Sequence, residues 1–280
     1  MHHDTTERLQ QLILSAGGEF DLAEAALLLA KDEYPALDVG AYLARLDRLG
    51  ADLRARIPEN SPLEQTILAL NAFLFEEHGF LGNTDNYYDP RNSFLNEVLD
   101  RKLGIPITLS IIYMEIGRRV GLPVEGVSFP GHFLVKFGTD HGDLVIDPFA
   151  GGIPLSEEDL LDRLEETYGE LPTSPTELPH LLTGADNKDI LLRILRNLKA
   201  IYAQQQAWDK VLIALNRMLL IAPDSAAELR DRGELHERLE CFRAALEDFR
   251  QYLRLQPRAS DAFDIRRRLV ELDARAARLN

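Results

Sequence analysis

The chain has 280 residues, 45% of them hydrophobic and 28% charged, with a formal net charge of −15 and one cysteine, Cys241. This length builds one large domain or two ordinary ones without covalent staples, and one thiol excludes an internal disulfide framework or a cysteine-rich zinc site. The acidic balance argues against sequence-independent nucleic-acid binding, which relies on Lys and Arg at phosphates, and against anionic membrane surfaces.

The start, MHHDTTERLQQLIL, has no basic stretch followed by an apolar core, and no run of 18 apolar residues follows; the expectation is a soluble, cytoplasmic protein. Residues 5–58 carry apolar spacings of three and four and read as helices, with Asp21 and Asp38 as N-caps. Another helix is expected over about 62–78, between Pro62 and Gly79. The turn-rich stretch GNTDNYYDPRNS (82–93) leads into a short helix, FLNEVLDRKLG, with Ser93 as its expected cap.

The next helix starts at Pro106, where a missing N–H costs nothing, carries Arg118 and Arg119 in its last turn and ends at Gly121. Ile112, Ile116 and Val120 line one of its faces. Behind it VEGVSF, HFLVKF and DLVIDPF read as strands. The fold class is α+β: mainly helical N- and C-terminal parts around a small antiparallel sheet.

Residues from about 155 to 185 are acidic and rich in Pro and Thr, and read as a connector with little structure of its own. From 188 onward the pattern is helical and repeats. LNRMLLIAPDS and FRQYLRLQPRAS superpose at an offset of 34 residues, the period of a tetratricopeptide helix pair. Leu198, Tyr202, Gly233 and Ala245 stand where that pattern wants them, whereas Lys199 replaces its usual small residue and Val211 an alanine. Tyr202 and Trp208 are expected in the core, as is Cys241. The expected domains are 1–60, N-terminal helices; 61–155, the central core; 156–187, a linker; and 188–280, the repeats.

His132 opens HFLVKF and Asp147 closes DLVIDP. If GTDH (138–141) is a four-residue hairpin loop, Lys136 faces Asp143 and His132 faces Asp147, with Cβ atoms roughly 5 Å apart. Phe133, Val135 and Phe137 then pack into the core. A carboxylate on one imidazole nitrogen leaves the other as a base, which is the base-and-orienter half of a catalytic triad. The same pair also serves as a simple tie across a hairpin. A metal site of His132, His141 and Asp147 has no ligand spacing to support it, and His141 is expected to be solvated. No metal or cofactor is assigned.

The run from Gly82 to Phe137, followed by VIDPFAGG, resembles the bacterial SirB-type family, in which a transglutaminase-like core of cysteine-protease type precedes tetratricopeptide repeats. The resemblance covers about residues 60–155. It implies a helix-end signature at Arg118, Gly121, Leu122 and Pro123, a base at His132 and an orienter at Asp147. The nucleophilic cysteine of that superfamily falls here at Pro106 or Ile107, and neither can attack. Thr108 and Ser110 are the nearest hydroxyls. Ser110 is the better nucleophile by chemistry, but it lies about 4.5–6 Å along the helix axis from the helix start; local bonding of both hydroxyls is the favoured reading. The expectation is a non-catalytic, regulatory module that binds a protein or peptide through the repeats and the cleft near His132. The alternative is a hydrolase or acyltransferase using Ser110, His132 and Asp147.

Overall fold

The computed structural model describes residues 2–15, 20–140, 142–169 and 178–278, and falls into two units, Met1–Ile194 and Leu195–Asn280. The first unit opens with α1 (His2–Ser15), α2 (Leu22–Ala30) and α3 (Val39–Arg54). Asp21 and Asp38 cap α2 and α3 by accepting from the N–H groups of Glu24 and Ala41, which satisfies donors that a first helical turn leaves unpaired. α4 (Leu63–Asn71) follows Pro62 and continues as a π-helical stretch, Ala72–Glu77.

A short parallel pair, β1 (Leu81–Gly82) and β2 (Leu103–Gly104), brackets α5 (Leu95–Arg101). Ser93 does not cap α5. Winding begins earlier, in the 3-10 turn Pro90–Ser93, so the side chain of Asp89 does the capping by accepting from the Arg91 N–H. The Ser93 hydroxyl is buried without a hydrogen-bond partner among the described residues.

α6 (Pro106–Arg119) is the central helix, and every residue from Pro106 to Gly117 is buried. One apolar face was expected; instead the helix is covered all round, by α2, α3, α4 and α5 and by the sheet. That sheet is antiparallel in the order β3 (Val124–Val127), β4 (Leu134–Thr139), β5 (Gly142–Asp147), β6 (Ile153–Leu155).

The β4–β5 register differs from the expected one by two residues. Thr139 faces Gly142 and Phe137 faces Leu144, so the connection has two residues, 140 and 141, rather than four. Two-residue connections match the twist of paired strands, and the Thr139 hydroxyl closes this one by donating to the Gly142 carbonyl at 2.6 Å. A two-residue shift leaves each side chain on the same face. Phe133, Val135 and Phe137 are therefore buried as expected, and Lys136 still reaches Asp143 at 2.9 Å. His141 lies outside the described residues.

The stretch read as an unstructured connector contains α7 (Glu157–Tyr168) and α8 (Leu178–Leu181). Leu160, Leu164 and Leu178 pack on Val127, Phe129, Leu134 and Val145. The sheet is thus covered on both faces, and its acidic neighbour α7 is helical because two leucines anchor it there. α9 (Asn187–Gln204) follows.

In the second unit α10 (Trp208–Ile221), α11 (Ala226–Arg238), α12 (Phe242–Leu255) and α13 (Ala262–Arg278) continue the helical pattern. A shift of 34 residues carries both ends of α10 onto those of α12. It also carries Gln206, at φ 58, onto Glu240, at φ 59. Gly233 gives α12 its close approach, since a Cβ there would stand 2.8 Å from the Phe249 ring. One repeat earlier the facing residue is the smaller Leu215, so Lys199 is tolerated and pairs with Asp231 at 2.6 Å. Tyr202 is buried as expected, whereas Trp208 is half-buried beneath the Arg238 guanidinium, 3.9 Å from the ring centre. Cys241 is exposed, not a core residue: it occupies the tight turn before α12, where the repeat places Ala207. No described helix is long and apolar enough to cross a membrane.

Candidate functional site

β5 ends at Asp147, and the 3-10 turn Pro148–Ala150 starts on its side chain. Oδ1 accepts from the N–H groups of Phe149, at 2.9 Å, and Ala150, at 3.3 Å. The same oxygen stands 3.0 Å from Nε2 of His132, and Oδ2 accepts from Nη2 of Arg163, on α7, at 2.6 Å. The carboxylate is fully buried. Burial pushes its pKa up, but the bonds from His132 and Arg163 and their positive charge outweigh that cost and hold it below the ordinary aspartate value. A carboxylate at Nε2 favours the tautomer with the proton there, leaving Nδ1 as the basic nitrogen.

The expected meeting of His132 and Asp147 occurs, by a different route from the one the register suggested. His132 stands in a bend two residues before β4, and its side chain, rather than a ladder position, makes the contact. Its turn is tied in place. The His132 N–H donates to the Phe129 carbonyl, and Arg193 of α9 donates to Ser128 Oγ, to the Phe129 carbonyl and, at 2.6 Å, to the His132 carbonyl. Neither Arg163 nor Arg193 was identified from the sequence. A hint existed for Arg163, the only basic residue in EEDLLDRLEETY.

Aromatic rings extend the site toward the start of α6. Phe149 meets the His132 ring edge-on, at 5.9 Å between centroids, Tyr87 meets Phe149 at 6.1 Å, and Tyr88 meets Tyr87 at 5.3 Å. Phe149 lies directly on Gly82, where a Cβ would stand 2.7 Å from the ring. Gly82 pairs with Gly104, two residues before Pro106. Asn92 holds the Tyr87 segment by donating to the carbonyls of Asn86 and Tyr87. The turn-rich stretch 82–93 therefore lies against Phe149 beside His132, with Tyr88 largely exposed. Phe149 was missed because only the folded chain brings it to the histidine.

The start of α6 offers no nucleophile at the position the resemblance indicates. Pro106 and Ile107 are buried, and neither carries a reactive atom. Thr108 Oγ1 donates to the Asn92 carbonyl at 2.7 Å and accepts from the Ile105 N–H at 3.1 Å. Ser110 is fully buried, and its hydroxyl is directed at the Phe133 carbonyl, 3.5 Å away, rather than at His132. The structure brings His132 and Asp147 together and puts Ser110 on the main chain of the residue next to His132. Among the described residues no group of three His, Cys, Asp or Glu side chains could hold a metal ion.

The second unit contains a related arrangement. Asp248, also buried, receives Arg232 at 2.6 Å and His236 Nδ1 at 2.9 Å. There the trio ties α11 to α12.

Residues 40–196 match the family model described as transglutaminase-like superfamily, and residues 198–270 match the tetratricopeptide repeat. A UPF0162 protein of Xylella fastidiosa is 42% identical over 251 residues, covering 90% of this chain and 89% of that one. A UPF0162 protein of Vibrio cholerae is 29% identical, covering 83% and 85% of the two chains. The UPF0162 protein YchA of Escherichia coli is 25% identical, covering 80% and 81%.

Proposed function

The chain belongs to the transglutaminase-like superfamily, and from that premise we propose that it is a member without catalysis, a regulatory module that binds a protein or peptide. The cleft beside His132 is one binding surface and the tetratricopeptide helices are another. The observation that carries this reading is the start of α6: Pro106 and Ile107 stand at the nucleophile's position, and both nearby hydroxyls are directed at backbone carbonyls. A base with nothing to deprotonate has no role in acyl transfer. Its retention with Asp147 is accounted for by the tie to β5 and α7 and by the polar floor it gives an aromatic cleft. The narrower SirB-type resemblance fits a regulatory role of this kind.

The competing reading keeps His132 and Asp147 as base and orienter and gives Ser110 the attack. Its support is that Ser110 lies against the residue next to His132. A fluorophosphonate probe that reacts with activated serines separates the two. We expect the full chain to remain unlabelled, and a displayed peptide library to yield ligands whose binding falls at least tenfold in Tyr88→Ala. Labelling that maps to Ser110 and disappears in Ser110→Ala would establish the hydrolase or acyltransferase instead.

A further inference from the structure

Lys102 ends α5 in the left-handed conformation, at φ 64. Its main chain is tied on both sides: the N–H donates to the Val98 carbonyl at 2.9 Å, and the carbonyl accepts from the Leu81 N–H at 2.8 Å. The side chain therefore leaves the end of α5 from a fixed point. It lies across Phe80, with Nζ 4.0 Å from the ring centre. Phe80 is buried beneath it, and Lys102 itself is half-buried and still meets solvent.

This amine has no acceptor of its own. The neighbouring carboxylate is Asp100, but Arg45 and Tyr42 of α3 hold one of its oxygens each, both at 2.5 Å, and Arg45 also takes the Leu99 carbonyl at 2.8 Å. Among the described residues no oxygen accepts from Lys102 Nζ. Other lysines differ: Lys31 donates to the Leu37 carbonyl at 2.9 Å, Lys136 to Asp143 at 2.9 Å and Lys199 to Asp231 at 2.6 Å. An ammonium partly out of water, beside a guanidinium and without a carboxylate, loses ground to the neutral amine. The ring face favours the cation, as does Asp100, but burial and then the Arg45 charge bring the Lys102 pKa down to about 8. Burial and the Lys102 charge hold nearby His78 below its ordinary value in turn, so it adds no counter-charge of either sign at neutral pH.

We propose that Lys102 is a covalent modification site, an amine that Phe80 and Arg45 keep reactive at neutral pH toward acyl phosphates. Desolvation and a neighbouring cation are the two ways in which a protein activates a lysine as a nucleophile, and both act here. The neutral amine attacks the carbonyl carbon of the acyl phosphate. The C–N bond forms, the bond from carbon to the phosphate oxygen breaks, phosphate leaves with the electron pair, and the amine proton passes to solvent. The product is a neutral amide over the Phe80 ring. The donor class follows from charge: Asp100 is matched by Arg45, so no unmatched carboxylate beside the amine repels a phosphate. At pH 7.5 about a quarter of an amine with a pKa of 8 is neutral, against about one in a thousand at the ordinary lysine value. The lowering comes from the surroundings rather than from the bonds of the side chain, so the nitrogen keeps the lone pair of an ordinary alkylamine. This site stands whether or not the cleft beside His132 binds a ligand.

The test incubates the full chain with acetyl phosphate at about pH 7.5 and follows acetylation of each lysine by mass spectrometry of its peptides. The other lysines of the same molecule are the comparison. We expect Lys102 to acetylate at least fivefold faster than Lys31, Lys136, Lys188 or Lys199, and its rate to level off above a midpoint near pH 8. Arg45→Gln removes the neighbouring cation and frees Asp100 for the amine. It should raise that midpoint and slow Lys102 at least threefold while leaving the Lys188 rate unchanged. Lys102 acetylating no faster than Lys188, a midpoint above about pH 10, or a Lys102 rate indifferent to Arg45→Gln overturns the proposal.

Discussion

Replacing Asp147 tests whether the buried carboxylate is the keystone that joins β5, the His132 turn and α7. Asp147→Ala removes the acceptor of Arg163, His132 and two backbone N–H groups. Breaking a buried ion pair by deleting one partner costs about 3–5 kcal/mol. The Arg163 side chain is 26% exposed and can recover some hydration, which puts its share near the lower end, and the lost turn cap adds about 1 kcal/mol. A total of about 3–4 kcal/mol should lower the melting temperature by roughly 6–16 °C for a unit of this size. Asp147→Asn keeps an acceptor for the backbone and should cost less, about 1–2 kcal/mol. Urea unfolding followed by circular dichroism measures both. The pH dependence follows from the lowered pKa of Asp147: a carboxylate held below its ordinary value stabilises fully above about pH 4 and loses that contribution as the pH falls through the folded value. The gap between wild type and Asp147→Asn should therefore shrink as the pH falls below about 4. A loss under about 1 kcal/mol for Asp147→Ala, or a gap that widens in acid, would falsify the assignment.

Two further substitutions probe the hydroxyls of α6 and the repeat. Thr108→Val removes the partner of the Asn92 carbonyl and of the Ile105 N–H, and should cost about 1–3 kcal/mol. Ser110→Ala gives up only a contact at 3.5 Å and should cost under about 1 kcal/mol; equal costs in urea unfolding would contradict this ordering. Gly233→Ala places a methyl 2.8 Å from the Phe249 ring and should cost about 1–3 kcal/mol through overpacking, relieved by combining it with Phe249→Leu, which puts there the smaller side chain that Leu215 supplies in the first repeat.

The local features were legible because they depend on neighbouring residues. Asp21 and Asp38 carry their capping oxygens three residues before the N–H groups that need them, and Pro106 and Gly121 bound α6 through backbone constraints of their own. The 34-residue period was legible because each repeat faces the same neighbours. Even the side faces of β4 survived an error in its register, because a shift of two residues is invisible to a pattern of period two. For the same reason the alternation could not fix the loop length, which the closure of Thr139 on Gly142 decided.

Sequence alone therefore determined the transglutaminase-like core and the repeats, and it brought His132 to Asp147 only through a strand register that the fold does not have. Tertiary structure decided what that pair belongs to. Arg163 sits in an acidic run that composition marks as a connector, and becomes helical only because Leu160 and Leu164 find the outer face of the sheet. Arg193 and Phe149 reach His132 from segments 61 and 17 residues away along the chain, and Ser110 is directed at the Phe133 carbonyl by the packing of α6 on β4. Contacts between distant segments depend on how whole elements pack, so no local pattern of residues records them.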